Sequence, residues 1–381
     1  MALTIAIPRE TAPQERRVAL VPESVKKLTG RGLQLLVEPG AGQAAGYPDD
    51  AYQAAGAQMK GAPAELWGNA QVLLKVQPPT PEEVARIPSG AVLIAQINAS
   101  RNLPVVKLLQ ERKVTSFALE LLPRISRAQG MDVLSSQATV AGYRAMLIGA
   151  SLSPKFLPML TTAAGTIRPS RVLILGAGVA GLMAIATAHR MGAVVEGYDV
   201  RRAAGEQVRS LGAKFLELPL NAEGAGGYAR ELTPEEKKQE SEMVAKAVAE
   251  ADIIVTTAAI PGRKAPVLVR KEMVERMRPG SVLVDLAAET GGNCELTQPG
   301  QTVQVGGVTL AGPLNLPSQL PFHASQMYSK NLEAFLGLLV KPDGSLVTDY
   351  TDEILAASLL TRAGEVVHAG ARALLNPPGG S

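Results

Sequence analysis

The 381-residue sequence has very little cysteine and histidine. One cysteine, Cys294, excludes an internal disulfide framework and a cysteine-based metal site, which fits a reducing compartment. The three histidines, His189, His323 and His368, lie far apart without ligand spacing, so no metal is expected. Neither sign of charge dominates: 38 Lys+Arg against 35 Asp+Glu leave a formal +3. The one tight charge cluster, "TPEEKKQESE" at 233–242, mixes both signs and reads as a solvated helix start, so no nucleic-acid partner is expected. Apolar runs such as "LEAFLGLLV" (332–340) fall well short of the roughly 20 residues that span a bilayer. The opening "MALTIAIPRE" lacks a basic region followed by an apolar run, so neither a signal peptide nor direct membrane insertion is expected.

What is present is an alternation of apolar strands and amphipathic helices. The length is too great for one ordinary core and suits two domains. Toward the N-terminus "TIAIP", "LQLLVEPG", "QVLLKVQPP", "AVLIAQI" and "VTSFALELLP" read as strands of a parallel sheet covered on both faces. A long helix, "SSQATVAGYRAMLIGASL", then leads to a second set of strands beginning at Arg171 and continuing through "VVEGYDV", "ADIIVTTAAI", "SVLVDLAAE" and "VTLAGP". After Pro317 and Pro321 another long helix is expected to return to the first domain. The expectation is an α/β protein of two Rossmann-like, doubly wound parallel-sheet domains separated by a cleft and joined by long helices. Residues 1–135 and 322–381 form one domain and 136–321 the other, with an irregular tail "LLNPPGGS".

Gly176, Gly178 and Gly181 form G-x-G-x-x-G directly after the strand "RVLIL" and at the opening of a helix. Such a turn brings a pyrophosphate against backbone N–H groups at a helix N-terminus. Asp199 ends the next strand, at the spacing where a carboxylate grips adenosine ribose hydroxyls and repels a 2′-phosphate, which favours NAD. Two other readings stay open: Arg201 and Arg202 could neutralise a 2′-phosphate, and the glycines could simply make a turn.

A third stretch, "RISRAQGMDVLSSQ" (124–137), is crowded with polar groups, yet Arg124 to Ser136 hold no His, Cys, Lys or Glu that could shuttle a proton near neutrality. With "IPRETAPQERRVALVPE", "EPGAG", "LLKVQPP", "VLILGAGVAG", "AAIPGRKAP" and "GSVLVDLAAETGGN", it makes the chain resemble the alanine dehydrogenase and proton-translocating transhydrogenase family along nearly its whole length.

The resemblance implies a choice between two chemistries. An alanine dehydrogenase needs an Arg and a Lys for its substrate, matched by Arg17 and Lys75, and also a His and an Asp, which fall here at Gln96 and Glu289. An amide can neither give nor take the proton that imine chemistry needs. The loop 124–137 instead looks like the nicotinamide-side loop of the NAD(H)-binding component of transhydrogenase, and "GAGGYARELTPEEKKQESE" (224–242) looks like its mobile loop. By matching positions, Arg124, Gln129, Asp132 and Ser135 would hold the nicotinamide, its carboxamide and its ribose, with Gln129 reaching toward the second nucleotide. Tyr228 would tip the lid, and Val179, Ala180, Val200 and Ala259 would join Gly176, Gly178, Gly181, Asp199 and Arg201 in binding NAD(H).

Direct hydride transfer between two nicotinamides needs positioning rather than a proton donor, which suits this loop. The resemblance further implies a homodimer, NADP(H) on a partner subunit, and proton-conducting membrane subunits that hold this cytoplasmic chain peripherally at the inner membrane. The alternatives are an alanine dehydrogenase-like enzyme and a non-catalytic NAD(H)-binding regulatory protein. Arg17 and Lys75 are expected to be structural, paired with Glu10 or Glu289; Trp67, Cys294 and the histidines are taken as structural, with His189 partly buried.

Overall fold

A computed structural model describes residues 2–217, 233–258 and 264–375. The chain forms two compact units, Met1–Gln137 with Pro317–Ser381, and Ala138–Leu316. The first crossing between them falls inside the helix Val133–Leu152.

In the first unit an eight-stranded sheet runs, edge to edge, Gln58–Met59, Gln34–Val37, Thr4–Ile7, Val72–Leu74, Val92–Ala95, Thr115–Ala118, Leu359–Arg362, Glu365–Val366. The first six strands are parallel, and in chain order they read 3-2-1-4-5-6. The sequence explains this layering through a period of two with both phases apolar. Ile5, Ile7, Leu35, Val37, Leu74 and Ile94 bury on one face, and Ala6, Leu36, Leu73, Leu93 and Ala95 on the other. The helix Pro321–Leu339 covers the first face through Tyr328, Leu332, Phe335, Leu336 and Leu339.

The second unit repeats the plan. Its seven strands lie in the order Lys214–Phe215, Val194–Tyr198, Arg171–Leu175, Ile253–Thr256, Val282–Asp285, Val308–Ala311, Thr302–Val305, parallel except the last. Val172, Ile174, Val255 and Val284 bury on one face; Leu173, Leu175, Ile254 and Leu283 bury on the other. Sheets of this order open a crevice at the carboxyl ends of the strands, where the winding direction reverses. That point lies between Arg171–Leu175 and Ile253–Thr256 here, and between Thr4–Ile7 and Val72–Leu74 in the first unit.

Three features depart from the expected pattern. Leu160–Thr162 and Gly165–Ile167 form a separate antiparallel hairpin, Thr302–Val305 adds an antiparallel edge, and Leu359–Arg362 with Glu365–Val366 close the far side of the first sheet. The last pair turns through Ala363 and Gly364, both at positive φ (52° and 87°), without the Asn-Gly signal that usually marks such a turn. Among the described residues no helix is long and apolar enough to cross a membrane.

Candidate functional site

In the second unit the three glycines of the turn do three separate jobs. Gly176 takes φ +103°, and a Cβ there would stand 2.6 Å from Thr257 Oγ1. At Gly181 a Cβ would stand 1.8 Å from the Gly176 carbonyl oxygen, so only glycine lets the helix Val179–Arg190 begin this close to the turn. Around Gly178 nothing lies within 4 Å of such a Cβ, which leaves the approach to the helix N-terminus open. The first N–H groups of a helix have no intrahelical acceptor and attract negative charge. Val179 and Val200, exposed at 42% and 68%, lie on this carboxyl edge of the sheet.

Asp199 follows the strand Val194–Tyr198. Its carboxylate accepts from Ala177 N (2.8 Å) and from Arg201 N, Nε and Nη2 (2.8, 3.0 and 3.0 Å). Burial pushes the Asp199 carboxyl up, but the hydrogen bonds from Arg201 and Ala177 outweigh it and hold the group below the usual range. Of the about four in-plane acceptor positions on a carboxylate, Arg201 fills three and Ala177 N the fourth. The Arg201 side chain is mostly exposed.

The polar loop in the first unit is a short 3-10 helix, Ser126–Met131, leading into the helix Val133–Leu152. Ala128 and Met131 anchor it in the core, Asn331 Nδ2 donates to the Gly130 carbonyl (2.8 Å), and Arg127 pairs with Asp352 (2.6 Å). Between these anchors Arg124 and Gln129 are exposed, whereas Asp132 and Ser135 are half-buried. Asp132 accepts from Ser135 N (2.9 Å) and Ser135 Oγ (2.5 Å), as a helix-capping carboxylate does.

At the first unit's own switch point the cations are already paired. Lys75 Nζ, 1% exposed, lies 3.3 Å from Glu10 and 3.2 Å from Glu83, while Arg17 meets Glu15 (2.6 Å) and Gln137 (2.8 Å). Burial raises the Glu10 carboxyl despite Lys75 beside it. The Glu15 carboxyl, also opposed by burial, is pulled down to about 2 by Arg17 and Gln77. The expected partner Glu10 is therefore present. Glu289, on the loop after Val282–Asp285 in the second unit, accepts from Asn315 N (2.6 Å). Sequence reasoning missed Glu83 and Glu15, and it missed the roles of Thr257, Asp285 and Asn293 beside the glycine turn.

His189 is exposed rather than partly buried, its ring lying against Gly212 at the end of the helix Val179–Arg190. Cys294 and Trp67 are buried. Tyr228 and Ala259 lie outside the described residues. A hollow of about 310 Å³ lined by Lys155, Arg168, Arg171, Asp252 and Arg278 sits at the amino ends of the strands, the wrong edge for the turn.

Comparison with known proteins matches both halves of the chain to one family: "Alanine dehydrogenase/PNT, N-terminal domain" over residues 6–141 and "Alanine dehydrogenase/PNT, C-terminal domain" over residues 145–369. The chain belongs to the alanine dehydrogenase/PNT family. Within it, the chain is 50% identical over 376 residues to an NAD(P) transhydrogenase subunit alpha polypeptide of Rhodospirillum rubrum, covering 96% of this chain and 98% of that one. It is 31% identical to the alanine dehydrogenase of Bacillus subtilis, covering 96% and 93%. A crystal structure of transhydrogenase from Sinorhizobium meliloti, 45% identical, superposes with a TM-score of 0.87 over 96% of this chain and 100% of that one. The two-domain α/β fold with mainly parallel sheets is thus a family property.

Proposed function

We propose that this chain is the NAD(H)-binding component of a Re/Si-specific, proton-translocating transhydrogenase. The reaction is NADH + NADP⁺ → NAD⁺ + NADPH, with NADP(H) held by a partner subunit. The carrying observation is that an open glycine turn with its acid occurs on the same chain as an anchored polar loop without a proton donor. A relative 50% identical along nearly the whole chain bears the transhydrogenase name.

In this reading the bound dinucleotide supplies the hydride from its reduced nicotinamide. Gly176, Gly178 and Gly181 give its pyrophosphate room, and the free N–H groups at Val179 and Ala180 neutralise it. Asp199 takes the adenosine ribose hydroxyls as Arg201 yields, and Val200 and Ala259 are counted among the NAD(H)-binding residues. Arg124, Gln129, Asp132 and Ser135 orient the nicotinamide, its carboxamide and its ribose, and Tyr228 helps exclude water. Holding reacting groups in near-attack geometry can supply several powers of ten in rate by itself. The chain works as a homodimer in the cytoplasm, held at the inner membrane by partner subunits that conduct the proton.

The buried pairing of Lys75 and Arg17 with carboxylates leaves neither cation free for a carboxylate substrate, which weighs against the alanine dehydrogenase chemistry. The test is single-turnover absorbance. The chain loaded with an NADH analogue of shifted spectrum is mixed with the NADP⁺-loaded partner subunit, and separately, without partner, with pyruvate plus ammonium. Transfer only with the partner is expected. Oxidation by pyruvate and ammonium would make the chain an amino-acid dehydrogenase, and nucleotide binding without turnover in either arm would make it regulatory.

A further inference from the structure

Asp285 ends the strand Val282–Asp285 with 0% exposure, and all its donors are neutral. One carboxylate oxygen accepts from Thr256 Oγ1 (2.9 Å) and Ala287 N (2.9 Å); the other accepts from Asn293 N (2.8 Å), Cys294 N (3.0 Å) and Thr297 Oγ1 (2.6 Å). Five donors on one buried carboxylate tie the loop that follows to the end of the strand, because each hydrogen bond to a buried charged group is costly to lose. Gly291 and Gly292, at φ +102° and +78°, let that loop double back, and a Cβ on Gly292 would stand 2.9 Å from the carboxylate.

The loop delivers one side chain, Asn293, also 0% exposed. Its Oδ1 accepts from Ala258 N (3.0 Å), and its Nδ2 donates to the carbonyls of Ala258 (2.8 Å) and Pro266 (2.8 Å). Ala258 is thereby held at both its N–H and its carbonyl. Its neighbour Thr257 donates through Oγ1 to the Gly176 carbonyl (3.0 Å) and through its backbone N to the Leu175 carbonyl (2.8 Å). A continuous hydrogen-bonded path therefore runs from a buried anion, through one amide, to the first glycine of the turn.

We infer that Asn293 is a positioning residue of the dinucleotide site, which sets the Thr257–Ala258 backbone against Gly176 and so holds the turn in its pyrophosphate-accepting shape. This rests on the NAD(H)-binding reading. Aspartate cannot replace it, since a carboxylate would face two carbonyl oxygens with no proton to offer.

The test measures binding of adenosine and of NADH to the full chain carrying Asn293→Ala, Asn293→Asp or Thr257→Val, with thermal unfolding as a control on folding. A turn held out of shape weakens only ligands that carry the pyrophosphate. The expected result is NADH binding at least tenfold weaker in the Asn293 variants and several-fold weaker in Thr257→Val, with adenosine changed less than threefold. Equal loss for both ligands, or none in a folded Asn293 variant, would overturn the inference. If the Asn293 variants do not fold, Thr257→Val decides, because it removes only the hydroxyl that touches the turn; unchanged NADH binding there overturns the inference too. Failure of the unsubstituted chain to bind NADH would instead defeat the nucleotide reading itself.

Discussion

Glu83 shows how a single side chain can hide its function in a local pattern. Thr80 and Glu83 form a capping box at the helix Pro81–Arg86, each side chain bonded to the other's backbone N–H (3.2 and 2.9 Å). The same carboxylate also accepts from Lys75 Nζ and Thr11 Oγ1, partners that only the folded sheet brings near. The sequence signal for the cap is complete on its own, so nothing in it announces the ion pair. Glu15, two residues from Arg17, makes a shorter-range pair whose energy is open to test. Its carboxyl is pulled down to about 2 in the folded chain, so the stabilisation is present above the ordinary carboxylate range and lost as pH falls toward 2. The full effect is on the order of 3 kcal/mol. In urea unfolding, Glu15→Gln is expected to cost most above about pH 5, with the penalty shrinking by about 2 kcal/mol at pH 3. A penalty independent of pH would show that packing, not ionisation, is what Glu15 contributes.

The helix Val133–Leu152 illustrates what can and cannot be read at the level of an element. Its existence follows from apolar residues at helical spacing without proline, and the strand at Arg171 was likewise legible from its apolar run. Its contacts were not, because small residues carry no directional signal. A Cβ on Gly142 would stand 2.0 Å from the Ala180 carbonyl oxygen, and one on Gly149 would stand 2.8 Å from Ile253 Cγ2. The helix therefore lies backbone against backbone on the start of the glycine-turn helix. Gly142→Ala has no room to be absorbed: a loss of about 1–3 kcal/mol in stability is expected, together with weaker NADH binding as the turn helix is displaced. Calorimetry and fluorescence titration measure the two effects. A stable variant that binds normally would mean the two helices can separate without cost. The C-terminal hairpin was illegible for a related reason, since its strands are short and Ala363 sits where Asn or Gly would be the cue.

For the whole molecule, the proposed function requires one dinucleotide to be recognised by groups carried on both units: the turn at Gly176–Gly181 on one and Arg124–Ser135 on the other. Two ligands separate these contributions. In native-state hydrogen exchange, ADP-ribose is expected to protect the glycine turn and the backbone around Asp199 only. NADH is expected to add protection over residues 124–135. Identical protection by the two ligands would mean that the nicotinamide never reaches the polar loop, and the assignment of Arg124, Gln129, Asp132 and Ser135 would fall with it. The sequence made the glycine turn and most of both sheets readable because they rest on local spacing. It left the clamp at Asn293 and the part of Glu83 in the Lys75 pairing unread, because those contacts exist only once the sheets have formed.

Leu359–Arg362 completes the first sheet by pairing with Thr115–Ala118, and Ser116 Oγ meets Thr361 Oγ1 at 2.6 Å across 245 residues of sequence. On the ribosome, that interval separates the emergence of one strand from that of its neighbour by roughly ten to fifty seconds at ordinary elongation rates. Throughout that time the nascent Thr115–Ala118 strand offers a bare hydrogen-bonding edge, and the inserted unit has all its own strands before the outer one is closed. Synthesis therefore supplies every strand of the inserted unit before the last two strands of the first unit's sheet.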